Sequence, residues 1–319
     1  TLQEVVTLTN GSMDVTGGTV VFASGGSVSD LMLDNSTLVL NQDLTITEQF
    51  TTQGGEPTLQ ADGGTLEVSG VENPVHLGTS LVMNGVSTSD NTSVHLTDNV
   101  TLTRNAPFTV GSVALENHTL TLALDTTDLT ISGAVSFDNA SSGITTQGAD
   151  LTLTSPLNLN NGHLSSSGGT LSLAQGVTLG DDALLDLTGT TVNLSGALDL
   201  GEGTVITDNA SALRLQATSS LSVADNLTLG SLALNGHSFT LETADTHLIL
   251  TSPLTVDSSA TLDTKTGSLT LNGATTLQDN SILQSSDGAL VFSNTLTLDN
   301  ASLESAGGSV TLAQRAGIT

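Results

Sequence analysis

The stretch Leu151-Thr152-Leu153-Thr154-Ser155-Pro156-Leu157-Asn158-Leu159-Asn160-Asn161-Gly162-His163-Leu164 decides the fold. Its leucines step by two, which puts them on one face of an extended strand. The gap of four between Leu153 and Leu157 is a bend, after which the same face points inward again. The pattern restarts at intervals of 20 or 21 residues: Leu171, Leu173, Val177, Leu179, Leu184, then Val192, Leu194, Leu198, Leu200, Val205, then Leu213. It continues through Leu248, Leu250, Leu254, Val256, Leu262 and through Leu290, Phe292, Leu296, Leu298, Leu303. Between those two sets, Leu269, Leu271, Leu277 and Ile282 fit as well, with Thr275 in the one weak place.

A single such unit is three short strands with an aliphatic lining, too small to hide its own face or to pair its own backbone. Stacking solves both problems, because each unit completes the hydrogen bonds of its neighbours. The expected fold is therefore all-β, a parallel β-solenoid. Its turns vary in length, which favours a right-handed β-helix over the left-handed kind with its strict hexapeptide. Restarts near Val20, Leu38, Leu59, Val75, Val94, Val113 and Leu129 extend the comb toward the N-terminus, at looser intervals. The expectation is about 16 turns of roughly 20 residues, with 1–319 a single continuous solenoid segment.

Turn chemistry falls where the comb demands bends. One corner collects Asp138-Asn139, Asn160-Asn161, Asp181-Asp182, Asp257-Ser258, Asp279-Asn280 and Asp299-Asn300. Asp and Asn tolerate left-handed backbone and cap their own turns. A second corner collects Gly169, Gly267, Gly288 and Gly308, which suits positive φ. A longer echo relates Gly111-Ser112-Val113-Ala114-Leu115-Glu116-Asn117-His118 to Gly230-Ser231-Leu232-Ala233-Leu234-Asn235-Gly236-His237.

Composition excludes several classes. There is no Cys, Trp or Tyr, so disulfide scaffolds, thiol enzymes and Cys-ligated zinc are out. Four basic residues (Arg104, Arg214, Lys265, Arg315) against 32 acidic ones give a net charge of −28. No basic patch exists to neutralise phosphates, so nucleic acid is not an expected partner. No apolar run reaches membrane-spanning length, so no membrane span is expected. Without a nucleophile elbow, a phosphate loop or aromatic platforms for sugars, the chain is not expected to be an enzyme.

One constellation carries a chemical expectation. Stacked turns lie about 4.8 Å apart, and an aligned row of Asp257, Asp279 and Asp299 would offer the hard oxygen ligands that suit Ca²⁺. The competing reading is a row of solvated turn residues, because the Gly-rich nonapeptide of calcium-binding β-rolls is absent. The six histidines do not cluster in sequence. His118 and His237 hold equivalent places in the echo, which points to a repeated outward position rather than a metal centre.

Taken together, Gly168-Gly169-Thr170-Leu171-Ser172-Leu173, Gly267-Ser268-Leu269-Thr270-Leu271 and Gly308-Ser309-Val310-Thr311-Leu312 resemble the β-helical shafts of large bacterial surface proteins. These include autotransporter passengers, filamentous-haemagglutinin-like adhesins and related giant repetitive proteins. The resemblance implies an extracellular or cell-surface setting and a non-catalytic structural role, as adhesin shaft or filament subunit. The alternative is a carbohydrate- or calcium-dependent recognition module on the same scaffold, with host-surface or matrix glycans as partners. Val310, Leu312, Ala316 and Ile318 begin a further turn, so the segment is also expected to belong to a longer chain or filament and to stack on itself end to end.

Overall fold

The structure is a computed structural model, and it describes all residues except 56, 62–65, 69–74, 79–80, 85–92, 105–107, 124–127, 202, 224–225, 244–246, 315 and 319. Among the described residues there is no helix; short strands follow one another and pair in parallel from turn to turn. The fold is the all-β parallel solenoid that the comb predicts, with about 12 turns of about 21 residues rather than about 16 of roughly 20. Part of the difference is longer turns, such as the 22 residues from Val113 to Val135 and the 24 from Leu122 to Thr146.

The chain divides into two compact units. The first comprises Thr1–Ser155 with Gly162–Ser165, the second Pro156–Asn161 with Ser166–Thr319. In the first unit, Val75, Val94, Val113 and Val135 stand in one file across four successive strands. The long strand Val6–Phe22 pairs in parallel along Gly26–Leu40, with a register shift between Leu8 and Ser12. In the second unit, Leu227, Leu248, Leu269, Leu290 and Val310 form a similar file. These files line the core: Val94, Val113, Leu248, Leu269 and Leu290 are each no more than 6% exposed.

The comb names most of the inward residues, but Val205, Leu298 and Leu303 are half-buried. Leu184 and Ile282 are half-buried, and Leu185 and Leu283 take the core positions, at 1% and 0% exposure. The reason is parity. Where a corner is a four-residue turn, inward positions before and after it stay four apart, as at Leu277 and Ser281 or Val256 and Ala260. Where glycine tightens the corner, the gap is three and the parity flips: Gly162, at φ 85°, brings Leu164 inward. The inward position after this corner is therefore set by the corner's geometry, not by hydrophobicity.

The glycine file has a different cause from the one its sequence suggests. Gly169 has φ 70°, but none of Gly267, Gly288 and Gly308 has positive φ. A Cβ built on Gly288 would run into the carbonyl oxygen of Gly267, and one on Gly308 into that of Gly288. Successive turns approach too closely here for any side chain.

Candidate functional site

The corners hold most of the polar chemistry, and they are built in two ways. In four of them an i→i+3 backbone hydrogen bond closes a turn whose two central residues both have positive φ. These are Leu115–His118, Leu234–His237, Asp257–Ala260 and Gln278–Ser281, closed at 2.8, 2.9, 2.8 and 3.0 Å. This is the type I′ geometry, which Asn and Gly adopt with least strain. His118 and His237 thus do equivalent work, closing matched turns through their backbone N–H. The other build is an Asx turn. At Asp208–Ser211 the Asp208 carboxylate accepts from the backbone N–H of Ala210 and Ser211, at 3.0 and 2.9 Å, and from Gly189 one turn back at 3.0 Å. Those bonds, the one from Gly189 foremost and then the Ser211 hydroxyl, hold the Asp208 carboxyl below the usual carboxylate range.

Buried hydroxyls brace these corners from inside. Ser142, Ser211 and Ser281 are 0–1% exposed, and their Oγ atoms accept backbone N–H groups of Asp138, Asp208 and Gln278 respectively. Thr190 Oγ1 donates to the Ser166 carbonyl at 2.6 Å. On the outside, asparagines ladder between turns, Asn139 Nδ2 to Asn117 Oδ1 and Asn300 Nδ2 to Asn280 Oδ1.

The three aspartates of the calcium expectation lie on one corner but not in one file. Gln278, not Asp279, is the register partner of Asp299. Val256 pairs with Leu277, so Asp257 is also level with Gln278, and Asp279 sits one residue further on. Asp279 and Asp299 are exposed and Asp257 is half-buried. Among the described residues no three His, Asp or Glu side chains converge as a metal site.

Stacking does join groups that sequence distance hides. His76 and His95 are register partners on adjacent parallel strands, Val75–Leu77 and Val94–Leu96. His95 Nδ1 lies 3.0 Å from Glu116 Oε1 on the following turn. The signal was present in the repeated Val-His-Leu triplets at 75–77 and 94–96, one turn apart. The second described ion pair joins Lys265 to Glu242 on the surface.

A surface hollow of about 320 Å³ is bordered by Gln284, Ser286 and Glu304, and one of about 250 Å³ by Ser12, Asp14, Asp30 and Gln49. Inside the second unit, Leu185, Val192, Val205 and Leu213 surround a small apolar void of about 20 Å³. No described helix is long and apolar enough to cross a membrane.

Comparison of the chain with protein-family models, curated proteins and solved structures returns no match.

Proposed function

We propose that the chain is a non-catalytic structural segment of an extracellular or cell-surface β-solenoid, an adhesin shaft or filament subunit. The observation that supports this most is where the buried polar chemistry goes. The hydroxyls of Ser142, Ser211 and Ser281 brace corners, and the perturbed carboxylate of Asp208 caps one. In an enzyme such groups would converge on a cleft. The outward positions support the same reading. Register-matched Thr255, Thr276 and Thr297 form a file of short polar side chains with no aromatic platform beside them. A surface of that kind stays hydrated and does not commit to one small ligand. The acidity of the chain keeps neighbouring copies from clumping laterally.

The test is location and binding together. Antibodies raised against residues 151–319 should label intact, unpermeabilised source cells or their secreted material. Label confined to the cytosolic fraction would overturn the proposal. A glycan array probed with the purified chain distinguishes the recognition module. Saturable binding to a defined glycan, lost on changing one lateral face, would replace the shaft reading with that one.

A further inference from the structure

We infer that the outward face of the five-stranded sheet in the second unit, centred on Thr270, docks the same face of a second copy of this chain. The inference goes beyond the shaft reading and stands without it.

The face is marked by missing charge. Its strands are Leu227–Leu229, His247–Leu250, Ser268–Leu271, Leu290–Phe292 and Val310–Leu312, and none carries Asp, Glu, Lys or Arg. The corners that leave the three central strands, 251–253, 272–274 and 293–295, carry none either. The adjoining sheet shows the contrast, because its outward file runs Thr240, Asp263, Gln284, Glu304. Copies of a chain with net charge −28 repel one another. A side-by-side contact is least opposed where the acid is absent.

The face is also its own complement. Register places Thr228, Ile249, Thr270, Val291 and Thr311 in one outward file along the axis. All are half-buried in the single chain except Thr311, which is exposed. A two-fold axis lying along the strand Ser268–Leu271 reverses the order of the turns and keeps each position along the strand. It sets Thr270 against Thr270, Ile249 against Val291 and Thr228 against Thr311, so branched side chains meet branched ones. At the start of the strands the same axis brings the imidazole of His247 over the methyl of Ala289, large against small. His247 Nε2 and Thr270 Oγ1, 2.7 Å apart, fix the middle of the face. Both copies have the same row spacing of about 4.8 Å, so the rows of one stay in step with the grooves of the other, which is what selects a second copy as the partner. Five such rows, each with roughly 15 Å of strand, cover about 350 Å² per copy. The total of about 700 Å² is below the roughly 1,200 Å² of stable complexes. The pairing is therefore weak and reversible, and salt that screens the remaining charge strengthens it.

The experiment is sedimentation equilibrium of the whole chain from about 10 μM to about 1 mM, at low NaCl and at about 0.3 M NaCl. A monomer–dimer equilibrium is expected, tighter at the higher salt. Thr270→Glu and Ile249→Glu, which set like charges against each other or add charge to the face, should each weaken it by about tenfold or more. Thr240→Glu, on the adjoining sheet, should change it by less than about twofold. The chain has no Cys, so Thr270→Cys carries a single thiol, and a short bismaleimide should link it into dimers several-fold faster than it links Thr240→Cys. Melting curves that match the parent establish that the variants are folded. A monomer across the whole range at both salts overturns the inference. So does association that survives Thr270→Glu and Ile249→Glu unchanged, which would be end-to-end stacking, and so does equal cross-linking of the two thiol variants.

Discussion

Thr275 occupies a core position among aliphatic neighbours, and replacing it by valine should stabilise the protein. Its register partners are Leu254 on one side and Leu296 on the other, 1% and 2% exposed. Thr275 is itself 1% exposed, and its Oγ1 is buried without a hydrogen-bond partner. A buried hydroxyl left unsatisfied costs about 1–3 kcal/mol. Valine keeps the β-branched shape that strands favour and replaces the hydroxyl by a methyl. The expected gain for Thr275→Val is about 1–2 kcal/mol. With a urea slope of about 2 kcal/mol per molar, the midpoint should rise by about 0.5–1 M. The contrasting variant is Thr190→Val, at a hydroxyl that donates to the Ser166 carbonyl at 2.6 Å. There the bond is lost and the midpoint should fall by a similar amount. Solenoids can unfold in parts, so both variants should be followed by hydrogen exchange across the second unit as well as by circular dichroism. A lower midpoint for Thr275→Val, or the same sign for both variants, would refute the reasoning.

Five further outcomes follow from the corners and the charge. Ser258 and Ser259 both sit at positive φ, 52° and 61°, and changing them to Asn-Gly should raise stability by about 0.5–1 kcal/mol in the same urea assay. Gly288→Ala should cost about 2 kcal/mol or more, because its Cβ meets the Gly267 carbonyl. Gly17→Ala should cost only about 1 kcal/mol, for its left-handed φ, since the space around Gly17 is open. The depressed Asp208 carboxyl contributes stability that is present above its unfolded value near 3.8 and lost as pH falls through its lower folded value; Asp208→Asn should therefore be less stable at neutral pH and approach the parent as pH falls through that lower value. With −28 net charge, self-repulsion is screened by salt, so the melting temperature should rise with NaCl at pH 7; an unchanged or falling value would show that repulsion is not limiting.

Much of this fold is legible in the sequence because a solenoid makes its long-range contacts periodic. Leu248, Leu269 and Leu290 are 21 residues apart and also adjacent in space, so one spacing carries both the strand face and the stacking. The hydrophobic comb fixes that spacing, because only one register per turn buries every tooth. Corner chemistry is legible for the same reason: Asn235-Gly236 and Asp279-Asn280 mark turns through backbone preferences that are local.

What the sequence could not decide is whatever depends on a single-residue offset between turns. Leu184 and Leu185 are equally apolar, and only the length of the preceding corner selects Leu185 for the core. The same kind of offset sets Asp279 one step away from the file of Asp299 and Gln278. Gly288 was readable as a glycine position, but the carbonyl that excludes a side chain belongs to the turn before it. Hydrophobic periodicity determines which face is inside. The identity of each residue's neighbour along the axis is set by the summed lengths of the corners between them, and those are fixed only when the turns close on one another in three dimensions.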